Sequence, residues 1–159
     1  MKVSFKHTVY KSQSKLSEPI IKLLNKANSQ LKASYAPYSM FNVGAAILLE
    51  NGTIIGGANQ ENVSYPLCIC AERVALYTYG AKNSKHLIKA LAVTAKYDQK
   101  PLTAPCMPCG ACRQVIQEYE QRQGSPIDIY VTASGIAEVI KIAGITHILP
   151  SAFHQDHLL

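Results

Sequence analysis

The 159-residue chain has no tryptophan and only three phenylalanines. Proteins that grip a nucleic-acid strand stack successive bases on aromatic rings along a basic groove, so the absence of tryptophan, with the balanced charge of residues 50–159, argues against a polynucleotide channel. Long hydrophobic runs are also missing. No stretch approaches the roughly 20 apolar residues a membrane-spanning helix needs, and MKVSFKHTVYKSQSK at the start holds no apolar core of a signal peptide. The expectation is a cytoplasmic, soluble protein with no membrane partner.

Acidic residues are few, ten against sixteen basic ones, for a formal charge of +6. The deficit is local: residues 1–49 carry seven lysines and one acid, Glu18, whereas residues 50–159 carry nine side chains of each sign. Lys22, Lys26 and Lys32 fall mostly opposite the apolar stripe of a predicted helix, the ordinary arrangement of a solvated helix face, which weighs against nucleic acid as a partner. The chain also lacks the even cysteine count of a disulfide framework. Its five cysteines, at 68, 70, 106, 109 and 112, suit a metal site in a reducing compartment better. The five histidines share no ligand spacing with one another or with the cysteines.

With 48% hydrophobic residues and no repeats or low-complexity tracts, the chain fits one domain with its own core. Residues 1–16 read as a basic N-terminal arm with a weak edge-strand pattern at 3–9, and residues 17–159 as the folded domain. Ser17 can cap a helix with Pro19 in its first turn, and Ile20, Leu23, Leu24, Ala27 and Leu31 continue it to about Ser34. VGAAILL (43–49), the pair Asn51-Gly52 and TIIGGA (53–58) make the strongest hairpin signal in the chain. A helix over 70–79, a strand over 90–95, a loop over 101–108, a helix over 109–121 and strands over 127–133 and 137–143 follow. Helices alternating with buried strands predict an α/β fold, a three-layer α/β/α sandwich around a mixed sheet of about five strands.

The chemistry concentrates in two helix starts. PCGAC puts Cys109 and Cys112 where both sulfurs can reach one ion at about 2.3 Å, with helix-start amides favouring the thiolate. Taken alone, that spacing equally describes a redox pair. Cys70 opens the other helix, so three thiolates can converge and leave one position open, the geometry of a catalytic zinc. Glu72 sits in the same first turn as Cys70 and can face the open position without ligating, as a proton shuttle for water acidified by the ion. Three thiolates exceed the charge of one Zn²⁺, and Arg73 and Arg113, each directly after a site residue, can donate to sulfur in compensation; the alternative for either is a surface ion pair. A rival arrangement closes a structural zinc site with Cys70, Cys106, Cys109 and Cys112, which would leave Glu72 without a purpose. In the catalytic arrangement Cys68 and Cys106 are bystanders.

APYSMFNVGAA (36–46), GANQENVSYPLCICAERVAL (57–76), PCGACRQ (108–114) and ILPSAF (148–153) together resemble the small, homotetrameric, three-cysteine cytidine deaminases over about residues 17–153. The resemblance implies the cytidine deaminase-like fold, one zinc per subunit on Cys70, Cys109 and Cys112, and Glu72 as general acid/base. It further implies Phe41 stacked on the pyrimidine, Asn59 and Glu61 on the ribose hydroxyls, and the Ala71 backbone at the exocyclic amino group. Tyr65 and Phe153 would be contributed across subunits in shared active sites. The implied activity is hydrolytic deamination of cytidine and deoxycytidine in pyrimidine salvage. Deamination of an aminonucleoside antibiotic such as blasticidin S, or a non-catalytic zinc-stabilised binding module, are the alternatives. Cys106, Met107 and the N-terminal arm stand outside the family's pattern.

Overall fold

The computed structural model describes residues 5–82 and 85–158. Six strands form one sheet: β1 (Thr8–Tyr10), β2 (Phe41–Leu49), β3 (Ile54–Ala58), β4 (Ile88–Tyr97), β5 (Asp128–Val131) and β6 (Val139–Ala143), in the spatial order β1-β6-β5-β4-β2-β3. Only β4 and β5 run parallel; every other neighbouring pair is antiparallel. The parallel pair requires a crossover, which helix α3 (Gly110–Gln123) supplies. Helices α1 (Glu18–Gln30) and α2 (Ala71–Ala81) complete the set.

Alternation along the strands sorts the core into two clusters. Ala46, Leu48, Ala90, Ala92 and Tyr130 pack against Leu23, Leu24 and Ala27 of α1. Ile47, Leu91, Val93, Ile129 and Val131 pack against Ala75 and Leu76 of α2 and Ile116 and Tyr119 of α3. The sheet is therefore covered on both faces, as the sequence predicts. Alanines on the α1 side let that helix approach closely: a Cβ on Gly44 would meet the Ala27 carbonyl oxygen at 2.1 Å. On the other side a Cβ on Gly57 would lie 2.5 Å from both Ala71 O and Ala75 N, so α2 is seated directly on the β3 backbone.

The sixth strand is the departure from the sequence reading. Thr8–Tyr10 pairs antiparallel with β6, so part of the expected arm is an edge strand of the domain's sheet. Val3 and Ser4 of the predicted 3–9 strand lie outside the described residues. The hairpin turn forms as predicted, with Gly52 at φ +85° and Thr53 N–H donating to Asn51 Oδ1 at 3.0 Å. Ser17 occupies the cap position of α1, but its side chain makes no capping bond. Its carbonyl instead accepts from Ile20 and Ile21 N–H, each at 3.0 Å. The helix ends at Gln30 and tightens into a 3-10 turn over Leu31–Ala33, short of the expected Ser34.

Candidate active site

Two helix N-termini meet on the face of the sheet that α2 and α3 cover. Cys70 and Cys109 are the cap residues of α2 and α3, both with extended backbone, and neither side chain makes a capping bond to its helix's backbone. Both sulfurs are thus free to point at a common centre, where Cys112, fully buried in the first turn of α3, joins them. Cys70 Sγ lies 3.8 Å from Cys109 Sγ, and Cys109 Sγ lies 3.5 Å from Cys112 Sγ. All three ligand atoms fall within 4.8 Å of one another. A tetrahedral zinc with Zn–S near 2.3 Å separates its sulfurs by about 3.8 Å, so the donor set fits one zinc ion in chemistry and in spacing. Among the described residues, Cys106 does not join this group. The closed four-cysteine site considered from sequence is not what the fold builds.

The thiols are poised unequally. Cys70 is lowered to about 5, most strongly by its hydrogen bond with Cys112 and further by Arg73, which outweigh the opposing effect of burial. Cys112, the other partner of that bond, is pushed up by it and by burial. Arg73 donates from its terminal nitrogen to Cys70 Sγ at 3.7 Å and to the Cys68 carbonyl at 3.4 Å. Its Nε is buried with no hydrogen-bond partner among the described residues. Arg113 is placed differently: its Nε donates to the Pro108 carbonyl at 2.8 Å and its Nη1 to the Ile148 carbonyl at 2.8 Å. It braces the loop entering Cys109 and ties it to the C-terminal segment rather than touching sulfur. Neither arginine forms an ion pair among the described residues.

Glu72 is 4% exposed, one residue past the helix start, and burial raises its carboxyl above the usual range. It lines a cavity of about 420 Å³ together with Cys70 and Cys109. That volume lies within the range of small-ligand pockets. Phe41, Asn59 and Glu61 line the same cavity. Ala71, fully buried at the first position of α2, fixes where Glu72 starts.

Asn59 and Glu61 are more engaged with protein than the sequence suggests. The Asn59 Oδ1 accepts from Val43 N–H at 2.8 Å and Ser34 Oγ at 2.6 Å, while its Nδ2 donates to the Phe41 carbonyl at 2.9 Å. One amide hydrogen remains for a ligand. Burial pushes the Glu61 carboxyl up, but donation from Ser39 Oγ and from the Tyr38 and Ser39 amides more than offsets it, leaving it below the usual value. Ser39, Cys106 and Met107 also line the cavity. Sequence reasoning brought Cys106 to the site only in the rival closed arrangement and gave Ser39 and Met107 no role there; Ser39, a polar residue in a loop, gave no spacing signal.

Tyr65 and Phe153 lie outside this cavity. Tyr65 borders an adjoining hollow with Tyr38, Ser39, Glu61 and Cys68. Phe153 stacks on His157 at 5.5 Å between ring centres and is 59% exposed. Cys68 is more than a small hydrophobe, since its sulfur accepts from Asn62 N–H at 3.2 Å and clasps the loop before α2.

An α/β/α sandwich with three thiols at converging helix starts, open to a cavity beside a buried carboxyl, defines a zinc-dependent hydrolytic centre. The particular family follows from comparison with known proteins: the chain belongs to the cytidine and deoxycytidylate deaminases, whose zinc-binding region matches residues 17–124. It is 40% identical over 136 residues to the cytidine deaminase of Halalkalibacterium halodurans, spanning 86% of this chain and 95% of that one. It is 39% identical over 137 residues to the cytidine deaminase of Sporosarcina psychrophila, spanning 86% and 93%. The crystal structure of cytidine deaminase from Burkholderia pseudomallei superposes with a TM-score of 0.73 at 34% identity, covering 87% of this chain and all of that one.

Proposed function

We propose that the protein hydrolyses cytidine and deoxycytidine to uridine and deoxyuridine, with release of ammonia. The observation that carries this reading is the Glu72 carboxyl, buried at the start of α2 and facing the same cavity as the thiol cluster. Zinc, when bound by Cys70, Cys109 and Cys112, makes water nucleophilic at neutral pH. The rest of the chemistry belongs to the chain. As water oxygen adds to ring carbon 4, Glu72 takes the proton and passes it to ring nitrogen 3. It then takes the second proton from the new hydroxyl on carbon 4 and delivers it to the exocyclic nitrogen as the carbon–nitrogen bond breaks, so that ammonia departs while the carbonyl forms.

Phe41 supplies a ring face for the pyrimidine, and the Ala71 backbone meets the amino group before it leaves. The free Asn59 amide hydrogen and the Glu61 carboxylate take the sugar hydroxyls, which are costly to bury without partners. Arg73 offsets the excess negative charge of the thiolates, and Arg113 holds the Cys109 loop in place. Five free cysteines and no helix long and apolar enough to cross a membrane among the described residues support placement in the cytoplasm.

The assembly we propose is a homotetramer whose sites are completed by neighbouring subunits. Val63, Tyr65 and Leu67, close together in the chain, are 77%, 68% and 68% exposed, and Tyr65 borders the hollow that adjoins the cavity, which supports a neighbouring subunit seated there. The test of function is ammonia release from cytidine by zinc-loaded protein, with Glu72→Ala as control. Release that persists undiminished in the variant overturns the proton-carrier role. No release from folded, zinc-replete protein overturns the substrate and turns attention to blasticidin S.

A further inference from the structure

We propose that Ser39 is a positioning residue that sets the sugar specificity of this site; the inference rests on the reading of Glu61 as a sugar contact. The hydroxyl of Ser39 makes two bonds at once. It donates to Glu61 Oε1 and accepts the Phe41 backbone N–H at 3.0 Å. The other carboxylate oxygen, Oε2, takes the Tyr38 and Ser39 amides at 2.9 and 3.3 Å. One hydroxyl therefore joins the residue proposed for the ribose to the backbone of the residue proposed for the base, and all three residues line the cavity.

The backbone shows that this arrangement is held rather than relaxed. Met40, between Ser39 and Phe41, has φ +56°, a left-handed conformation that costs a non-glycine residue about 1 kcal/mol or more. Its N–H donates to Ala36 O at 2.9 Å and its carbonyl accepts from Asp98 N–H at 3.1 Å, closing the turn on both sides. With the turn fixed, Ser39 Oγ limits where Glu61 Oε1 can swing. That oxygen keeps a lone pair for a ligand hydroxyl, so the rotamer of Glu61 is set before the nucleoside arrives. Removing the hydroxyl leaves Oε2 anchored and Oε1 free to rotate out of reach of the sugar.

The experiment compares kcat/KM for cytidine with that for 2′,3′-dideoxycytidine, which lacks the sugar hydroxyls, in the wild type, Ser39→Ala, Ser39→Thr and Glu61→Ala. Zinc content and melting temperature are measured on the same samples. Ser39→Ala is expected to shrink the cytidine preference about tenfold, chiefly through KM for cytidine, the size of one charge-assisted hydrogen bond. Ser39→Thr, which keeps the hydroxyl, restores it. Should Ser39→Ala fail to fold, Ser39→Cys, a weaker donor, is expected to give a partial loss of the preference. An undiminished preference in Ser39→Ala, or in Ser39→Cys in its place, overturns the role of Ser39 when Glu61→Ala reduces the preference. A preference that Glu61→Ala leaves undiminished as well overturns the Glu61 sugar contact itself, and the role of Ser39 with it.

Discussion

Replacing Gly57 with alanine tests whether the seat of α2 on β3 sets the position of Glu72. A Cβ at residue 57 would lie 2.5 Å from Ala71 O, 2.5 Å from Ala75 N and 3.1 Å from Ala75 Cα. All three atoms are backbone, so no side-chain rotation relieves the overlap. Ordinary contact begins near 3.4 Å, and the start of α2 must therefore retreat by about 1 Å, carrying Ala71 and Glu72 with it. Overpacking of this kind costs about 1–3 kcal/mol of stability. A displacement of that size at a reacting group costs about a hundredfold in rate. Gly44→Ala is the matched control on the other face. Its Cβ would strike Ala27 O at 2.1 Å and push α1, no residue of which lines the cavity. Both variants should melt earlier, by denaturant titration followed by circular dichroism. Gly57→Ala alone should lose most of its kcat per folded, zinc-loaded molecule. If the two variants keep equal kcat, or if Gly57→Ala melts like the wild type, the geometric argument fails.

Other substitutions separate chemistry from scaffold. Glu72→Gln should retain zinc by elemental analysis and keep its fold, yet lose at least about a hundredfold in kcat, the lower end of a general acid/base contribution. Glu120 is a buried carboxyl with no part in the reaction: its Oε1 accepts Ile127 N–H at 2.8 Å and Ile145 N–H at 3.0 Å. Burial raises its pKa despite those two bonds. A carboxyl raised on folding contributes stability that is complete below its unfolded value, about 4.3, and is lost as pH rises through the folded value. Glu120→Gln keeps an oxygen for both amides without the charge, so its stability relative to wild type should improve from pH 4 to pH 8. Glu120→Ala should cost about 1–3 kcal/mol for each orphaned amide; a flat difference between Glu120→Gln and wild type across that range would refute the assignment. Phe153→Ala should leave monomer stability nearly unchanged, because the ring is mostly exposed, but lower kcat/KM. An unaffected rate would remove Phe153 from the shared site.

What the sequence made legible follows from which interactions are local. The β2–β3 hairpin is written in Asn51-Gly52, whose positive φ only a few residues tolerate, and the helix starts of α2 and α3 in Cys70 and PCGAC. The cluster of three thiols was legible because a metal site constrains ligand type and spacing together. Cap residues announce a location in the chain, and two such locations converge when both helices pack on one face of a sheet. By contrast, β1 was nearly silent: three residues at a sheet edge bury little, and their pairing partner β6 lies far along the chain. The Ser17 cap failed for a related reason, since the residue fits the position but the fold satisfies the helix-start amides without its hydroxyl.

The site residues that escaped the sequence act through backbone. Arg113 was expected near sulfur because it follows a ligand, and it is placed instead on two carbonyls, Pro108 and Ile148, that only the folded chain brings together. Asn59 spends three of its hydrogen-bonding capacities on residues 34, 41 and 43, binding the cavity wall into one unit before any substrate enters. Ser39 does the same for Glu61. Asn59 and Ser39 carry a double load, holding the walls and facing the cavity. Truncating either of them should therefore change affinity through geometry as well as through the contact removed. Only pairs of substrates that differ by the contacted group can divide the two effects, because a structural loss falls on both substrates and a lost contact on one.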